Sequence, residues 1–280
     1  MPTGPGDEPL RLRRIYPDPP GYFARELPST NDTLKALVQA DEPEPFTVLV
    51  CGRQTRGRGR PGNLWQSLRG DLAMSLWLPV ESQERGLPLS LFVAGACLEA
   101  LSEVPGVRWK YPNDLCREMP AALGEGVVGK LGGILVEPLR REGVLRGHVA
   151  GVGINLVENR PSAPPAPGAL PLATTDPTNL TPLRLSRQIA LSLRSFLDRG
   201  EKALRECLDR HLLWRGRWVA YTLETADAAS AGLHVGRITG LSSEGNLRVV
   251  DSDGRPHLLP PHVRTLRLIE PSFEKGGEDQ

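Results

Sequence analysis

The stretch TVLVCGRQTRGRGRPGNLWQSLRGDLAMSLWL, residues 47–78, contains the pattern that decides the fold. It opens with the apolar run TVLVCG (47–52) and closes with DLAMSLWL (71–78), so each end predicts a buried strand. The glycine- and arginine-rich segment between them predicts a loop. The pattern therefore indicates a globular protein in which strands carry long, specialised loops.

The sequence on either side alternates strands with helices. Ser29 or Thr30 can cap the first helix, and Pro105-Gly106 is predicted to end the second. Two more helices follow, the first with Leu185, Ile189, Leu193 and Leu197 spaced four residues apart. A mostly apolar strand is also predicted around Trp109 and Lys110. The other predicted elements are the strands GYFAREL (21–27), LGGILVE (131–137) and HVAGVGINLVE (148–158), and the helices STNDTLKALVQA (29–40), LSLFVAGACLEALSEV (89–104) and EKALRECLDRHLLW (201–214).

From Trp218 onward the pattern changes to short alternating strands separated by turns, which predicts a small separate β domain. We therefore expect an α+β fold: a central mixed sheet flanked by helices, with a small C-terminal all-β barrel. The predicted divisions are an N-terminal lead (1–20), a main ligand-binding domain (21–217), the barrel (218–270) and a tail (271–280).

Composition excludes some classes of protein. The 280 residues carry 34 Lys and Arg against 33 Asp and Glu, a formal net charge of +1, so the chain is not a generically basic polyanion binder. No segment is apolar for the roughly 20 residues that a membrane helix needs. The 4 cysteines are widely spaced and the N-terminus lacks an apolar signal segment, so a reduced cytoplasm is predicted.

Three formal motif matches fail on context. Gly57 to Gly62 fits the dinucleotide fingerprint G-x-G-x-x-G, but a strand follows where that fingerprint needs a helix. Gly124 to Lys130 resembles a P-loop, but Leu131 stands where a Ser or Thr must follow. Arg58 to Pro61 is the core of a minor-groove hook, yet it joins two apolar strands in a nearly neutral chain. The feature that the matches share is a loop whose glycines let a ligand approach the backbone closely and whose arginines can bind phosphate or carboxylate oxygens.

Five segments in chain order resemble the successive motifs of biotin protein ligases. The resemblance covers residues 22–158, with the small β domain as a second matching part. About 20 residues precede the first predicted strand, so the type without an N-terminal DNA-binding domain is expected. The segments are Ser29-Thr-Asn31, Gln54-Thr-Arg-Gly-Arg-Gly-Arg60 with Trp65, Trp109-Lys-Tyr-Pro-Asn-Asp114, Lys130-Leu-Gly-Gly-Ile-Leu-Val-Glu137 and Gly151-Val-Gly-Ile-Asn155.

The resemblance implies a fold similar to class II aminoacyl-tRNA synthetases and a two-step reaction. Biotin and ATP with Mg²⁺ give biotinyl-5′-AMP and pyrophosphate, and a lysine of a biotin carboxyl carrier protein domain, as in acetyl-CoA carboxylase, then takes the biotinyl group. It also implies a homodimer. With the composition and the short N-terminal lead, we expect a cytoplasmic protein with no DNA or membrane partner. Such chemistry needs positioning and charge stabilisation and does not need an enzyme nucleophile.

The resemblance also implies roles for individual residues. Lys110, Arg58 and Arg60 are expected to be catalytic, and Asp114 is the expected metal contact. Pro61, Tyr111 and the long segments 115–129 and 161–177 depart from the family pattern. Biotin contacts are expected from Ser29, Thr30, Asn31, Gln54, Arg58, Gly59, Arg60, Lys110 and Gly133, and ATP contacts from Arg58, Arg60, Trp65, Asn113, Lys130 and Asn155.

Two alternatives stay open at the level of sequence. A lipoate ligase, or a lipoyl or octanoyl transferase, would share the fold, and an octanoyl transferase would use a cysteine nucleophile. Gln54 followed by the double-arginine loop favours biotin. The second alternative is a nucleic-acid-binding protein that uses the Arg58-Gly-Arg-Pro61 segment in the minor groove.

Overall fold

A computed structural model describes residues 11–40, 43–60, 63–83, 86–118, 128–157, 180–222, 232–261, 263 and 265–269. These residues form two sheets, four α-helices and one short 3₁₀ turn at Val80–Gln83. Among the features that the sequence singled out, Pro61, Gly62, most of the 115–129 segment, the 161–177 segment and the tail lie outside the described residues.

The larger sheet has eight strands in the order β1-β2-β3-β4-β8-β7-β6-β5. Only β2 and β3 pair in parallel; the other neighbours are antiparallel, so the sheet is mixed, as predicted. The strands are β1 (Arg13–Tyr16), β2 (Gly21–Ala24), β3 (Val48–Cys51), β4 (Leu72–Pro79), β5 (Val107–Lys110), β6 (Asp114–Glu118), β7 (Val128–Arg141) and β8 (Val144–Ile154).

Two strands lie where none was predicted. β1 falls within the predicted N-terminal lead and pairs with β2, so the sheet begins before residue 21. β6 falls at the start of the long 115–129 segment and forms a hairpin with β5. Neither segment is apolar enough to predict a strand, because β1 is an edge strand and β6 has only two buried residues.

The helices cover both faces of this sheet. Helix α1 (Thr30–Gln39) packs on one face against β3, β4 and β8. Helices α2 (Leu89–Ala100), α3 (Pro182–Arg199) and α4 (Glu201–His211) pack on the other. Helix α2 is apolar on all sides because it lies between the sheet and the two later helices, and it ends at Ala100, before the predicted residue 104. None of the helices in the described part of the chain is long and apolar enough to span a membrane.

The second sheet begins at Trp218 and is antiparallel throughout, in the order β12-β11-β10-β9-β13. It forms the predicted small β domain, although no pairing in the described residues joins its edge strands β12 and β13. Its strands are β9 (Trp218–Thr222), β10 (His234–Leu241), β11 (Leu247–Val250), β12 (Pro256–Leu259) and β13 (Thr265–Leu268).

The two faces of β7 and β8 differ in character. Ile134 and Val152 enter the large core under α2 and α3. The alternate positions, Gly133, Gly151 and Gly153, face the side that carries α1, where an added Cβ would meet Asn31, Trp65 or Lys130. Because these three glycines, here called the glycine floor, have no side chains, the side chains of Asn31, Trp65 and Lys130 lie close to the strand backbone there.

Candidate functional site

The N-terminus of α1 forms one end of the site. Ser29 caps the helix, as predicted, by accepting a hydrogen bond of 3.4 Å from the Asp32 backbone N–H. The Thr30 N–H and hydroxyl both donate to Gln54 Oε1, at 2.8 and 3.1 Å. The Ser75 hydroxyl on β4 lies 2.8 Å from Thr30 Oγ1. The structure thus brings Thr30, Gln54 and Ser75 together in a polar cluster next to the Ser29 cap, and biotin contacts from Ser29, Thr30 and Gln54 stay a prediction.

Asn31 connects this cluster to the centre of the sheet. Its Nδ2 donates to Glu137 Oε2 at 2.7 Å and to the Leu135 carbonyl at 3.4 Å, while its Oδ1 lies 2.6 Å from the Ser75 hydroxyl. An added Cβ at Gly151 would lie 2.5 Å from Asn31 Oδ1, so only glycine leaves room for this side chain. Both ends of the Asn31 amide are therefore occupied by the protein.

Arg58 crosses from the glycine-rich loop to α1 and β7. Its Nη1 and Nη2 donate to the two carboxylate oxygens of Glu137, at 3.1 and 3.0 Å, and Nη2 also contacts Asp32 at 2.5 Å. Lys35 Nζ lies 3.1 Å from Glu137 Oε1. Burial acts to raise the pKa of Glu137, but hydrogen bonds from Asn31 and Lys35 and the charges of Lys35 and Arg58 outweigh it and lower this pKa below the ordinary value.

Arg60, two residues further on, points the other way. Its Nη1 donates to the carbonyl of Val263, in the C-terminal β domain, at 3.3 Å. The charge of Arg60 also acts on Tyr111, whose pKa is raised mainly by burial. Between the arginines, Gly59 closes the loop by donating from its N–H to the Asn63 carbonyl at 3.0 Å. Arg60 therefore lies beside Val263 and Tyr111, and it shares none of the partners of Arg58.

Lys110 and Lys130 lie on the β5, β6 and β7 side of the site. Lys130 Nζ forms an ion pair of 2.8 Å with Asp114. Lys110 Nζ lies 5.3 Å from the centre of the Trp214 ring, and no carboxylate among the described residues is within 4.0 Å of it. Both lysines act on Cys116, whose pKa burial raises to about 12. Both cations predicted for the phosphate groups thus act on the same side chain, Cys116, and one of them is paired with Asp114.

Trp65 and Asn155 line the floor on the other side of Lys130. The Trp65 ring lies where a Cβ on Gly153 would be only 2.4 Å from it, and it also covers Gly133. The Asn155 amide nitrogen donates to the Lys130 carbonyl at 3.3 Å. Trp65 Nε1 and Asn155 Oδ1 are both buried and have no hydrogen-bond partner among the described residues. An unpaired buried donor and acceptor at the glycine floor indicate a place that a polar ligand completes.

Asn113 has a different environment from the one expected. Its Nδ2 donates to the Ile134 carbonyl at 3.2 Å, and its own carbonyl accepts from the Ile134 N–H at 2.9 Å. The side chain thus connects the β5–β6 turn to β7. This contact positions the turn that carries Lys110 and Asp114, and the role of Asn113 as an ATP contact stays a prediction.

The described residues do not form a ready-made metal cage. No group of three or more His, Cys, Asp or Glu side chains in this part of the chain could hold a metal ion. Asp114 offers a single carboxylate, already paired with Lys130. One carboxylate fits a Mg²⁺ ion that arrives with nucleotide phosphates and keeps most of its water, because Mg²⁺ takes many of its ligands from substrate and solvent in such sites.

Four residues of the site escaped sequence reasoning: Ser75, Glu137, Asp32 and Trp214. Ser75 is a polar residue within an otherwise apolar strand, and that signal was available. Glu137 lies four residues after Gly133 on β7. Because side chains alternate between the two faces of a strand, this spacing could have placed Glu137 on the same face as Gly133. Asp32 and Trp214 gave no comparable signal, because their contacts depend on which segments the fold brings close.

Known proteins provide an independent comparison. The bifunctional ligase/repressor BirA of Bacillus subtilis is 34% identical over 134 residues, which are 46% of this chain and 38% of BirA. Biotin--protein ligase 2 of Arabidopsis thaliana is 30% identical over 233 residues, 77% of this chain and 65% of the relative. The chain spans between 34% and 65% of the length of the curated relatives compared with it.

A solved structure is similar over a larger share of its length. The biotin protein ligase from Aquifex aeolicus in complex with biotin and ATP superposes with a TM-score of 0.69 at 25% identity, covering 89% of this chain and 99% of that one. The family model described as biotin/lipoate A/B protein ligase matches residues 22–155, which contain the cap of α1, the arginine loop and the glycine floor. By its fold and by these residues, the chain is similar to proteins of the biotin/lipoate A/B protein ligase family.

Proposed function

We propose that this protein is a biotin protein ligase, which activates biotin with ATP and transfers it to a lysine of a biotin carboxyl carrier protein domain. The observation that carries the proposal is the arrangement of one face of the sheet. Hydrogen-bonding side chains around Thr30 and Gln54 lie at one end of the glycine floor, and Lys110 and Lys130 lie on the side of β5, β6 and β7. The loop adds Arg60, which contacts Val263 near Tyr111.

The two ends suit the two halves of biotinyl-5′-AMP. The ureido group of biotin needs both donors and acceptors, which hydroxyl and amide side chains provide. The phosphate and the carboxylate that it joins need cations, and Trp65 with Asn155 offers a ring face and two unpaired polar atoms for a nucleobase. The similarity to a ligase solved with both biotin and ATP supports this assignment.

The reaction requires the protein to position the reactants and to stabilise the negative charge that they carry. In the first step a carboxylate oxygen of biotin attacks the α-phosphorus of ATP, and the bond to the β-phosphate oxygen breaks to release pyrophosphate. Lys110 lies on the cationic side without a described carboxylate partner, so its charge is free to stabilise the negative charge that moves between these groups. In the second step the carrier's lysine amine attacks the acyl carbon and AMP leaves.

The cysteine-dependent alternative has less support. Burial raises the pKa of Cys51 to about 11 and that of Cys116 to about 12, and it also raises those of Cys97 and Cys207. A thiol nucleophile reacts as its thiolate, which such environments disfavour. A lipoate ligase, which uses no cysteine, is the nearer alternative. The acid that the protein activates distinguishes it from a biotin ligase.

The nucleic-acid alternative also has less support. A minor-groove hook needs its arginines free to enter the groove. Arg58 is held by Glu137 and Asp32, and Arg60 by the Val263 carbonyl. Binding of an A·T-rich duplex that is tight and sensitive to salt would nevertheless favour this alternative over a ligase.

The test is pyrophosphate exchange into ATP with biotin, lipoate or octanoate as the acid. A ligase for biotin exchanges pyrophosphate only with biotin and then labels a carrier domain on one lysine. Exchange with lipoate instead would assign the chain to the lipoate branch, and exchange with none of the acids would contradict the proposal. A homodimer and a cytoplasmic location are further parts of the proposal, which sedimentation and cell fractionation test.

A further inference from the structure

Three side chains from two elements share the Glu137 carboxylate. Asn31 and Lys35 reach it from helix α1, and Arg58 reaches it from the loop. The Glu137 side chain is 19% exposed, so water does little to screen these contacts. Glu137 is thereby the one described group that ties the glycine-rich loop to both α1 and β7.

Arg58 makes a two-pronged contact rather than a surface ion pair. Both of its terminal nitrogens donate to Glu137, and a second carboxylate, Asp32, contacts Nη2. Paired donors in this fork geometry are stronger and more directional than a single-point contact. If Arg58 moved to a ligand phosphate, Glu137 would keep its buried charge with only Lys35 as a cationic partner.

We propose that Glu137 is a positioning residue and that, with Arg58, it latches the described part of the glycine-rich loop against α1 and β7. The resemblance implies that Arg58 binds the ligand anion. In the arrangement proposed here it does not, and Arg60 is the cation that the loop contributes. The two arginines thus have different roles: Arg58 holds the loop against α1 and β7, and Arg60 contacts the Val263 carbonyl near Tyr111. The role of Arg60 rests on the proposed function, whereas the latch itself does not.

The latch can be tested without any ligand. The loop hairpin is closed by hydrogen bonds from the Gly59 N–H to the Asn63 carbonyl and from the Trp65 N–H to the Gly57 carbonyl, both of 3.0 Å. Hydrogen exchange at these amides reports how often the hairpin opens. We expect Arg58→Ala to speed this exchange about tenfold and Arg58→Lys to have an intermediate effect, because lysine keeps the charge but loses the fork.

A matched control is available in the same segment. Arg53 forms an ion pair of 3.0 Å with Glu26, and both side chains are nearly half exposed. Arg53→Ala removes a guanidinium from the segment without touching Glu137, so it should leave the exchange at Gly59 and Trp65 unchanged. Equal exchange in Arg58→Ala and Arg53→Ala would overturn the latch.

A second experiment separates the latch from a ligand role for Arg58. It measures the rate at which preformed biotinyl-AMP leaves the protein. With a latch, Arg58→Ala and Glu137→Gln both loosen the loop, and both speed release about five- to tenfold. If Arg58 instead binds the phosphate, Glu137→Gln frees it and slows release while Arg58→Ala speeds it.

The direction in which Glu137→Gln changes the rate of biotinyl-AMP release therefore decides whether Arg58 is part of a latch or binds the phosphate. If the Glu137→Gln variant fails to fold, Asp32→Asn takes its place in the same comparison. This variant removes the other carboxylate that contacts Arg58, and Asp32 is more exposed than Glu137. A protein that binds no biotinyl-AMP would contradict the proposed function, while the hydrogen-exchange result in the free protein would still test the latch.

Discussion

The Tyr111 hydroxyl donates a buried hydrogen bond of 2.9 Å to the Leu259 carbonyl. Tyr111 follows Lys110 directly at the end of β5, and Leu259 ends β12 in the other sheet. The bond therefore joins the two sheets at the position where the candidate catalytic lysine stands. Together with the contact between Arg60 and Val263, it makes the C-terminal β domain a support for the cationic end of the site.

Tyr111→Phe is expected to lower the free energy of unfolding by about 1–2 kcal/mol, because the Leu259 carbonyl stays buried without this donor. Denaturant titration measures the change. Tyr22→Phe is the matched control, since the Tyr22 side chain is half-buried and its hydroxyl has no partner among the described residues. Equal losses in the two variants would show that the bond does not stabilise the fold.

Lys110→Met is expected to slow adenylation by about 10²- to 10³-fold, because it removes a preorganised charge from the reacting groups. Initial rates of biotin-dependent pyrophosphate exchange measure the loss, and circular dichroism checks that the variant is folded. Lys110→Arg should recover part of the rate, since it keeps the charge with a different geometry. A normal rate in Lys110→Met would refute the role assigned to this lysine.

Gly153→Ala is expected to weaken nucleotide binding about tenfold, because the added Cβ would lie 2.4–2.7 Å from indole atoms of Trp65 and push the ring off the floor. Calorimetric titration with ATP, and separately with biotin, measures the effect, and biotin affinity should change little. Gly232→Ala is the control, because a Cβ there meets nothing within 4 Å. Unchanged ATP affinity in Gly153→Ala would place the nucleotide elsewhere.

Alkylation of the native protein at pH 8 is expected to modify Cys207 before the other cysteines. Cys51, Cys97 and Cys116 are buried, whereas Cys207 is half-buried, and burial raises the pKa of all four thiols. Peptide mapping by mass spectrometry gives the order, and ligase activity should survive modification of Cys207. Rapid labelling of Cys116 with loss of activity would instead favour a thiol nucleophile.

The free energy of unfolding is expected to depend on Glu137 at acid pH. Because the pKa of Glu137 is lowered in the folded protein, the group stabilises the fold above its unfolded pKa of about 4.3. This contribution is lost as the pH falls through the lower folded pKa. Urea titrations between about pH 5 and pH 3 should show a steeper loss in the wild type than in Glu137→Gln.

The control for this titration is Glu26→Gln, which removes an exposed carboxylate whose ion pair with Arg53 is screened by water. It should retain the steep wild-type loss of stability. A Glu137→Gln variant that loses stability as steeply as the wild type would show that the Glu137 network does not contribute to the fold.

Local sequence patterns predicted most of the elements that build the site. The apolar runs at 47–52 and 71–78 became β3 and β4, and Ser29 caps α1 as its residue type and position indicated. The glycines after Lys130 and in the 148–158 segment lie on strands and form the floor. These features depend on neighbours within a few residues, and that is the range over which side-chain period and capping act.

The sequence by itself thus determined most of the elements, the family resemblance and which residues could take part. The tertiary structure alone decided their partners: Arg58 with Glu137, 79 residues apart, Lys130 with Asp114, and Lys110 beside Trp214. These contacts follow from the strand order β4-β8-β7-β6-β5, which places β6 and β7 side by side. Strand order is set by long-range packing of the whole sheet, so no local pattern encodes which cation lies next to which carboxylate.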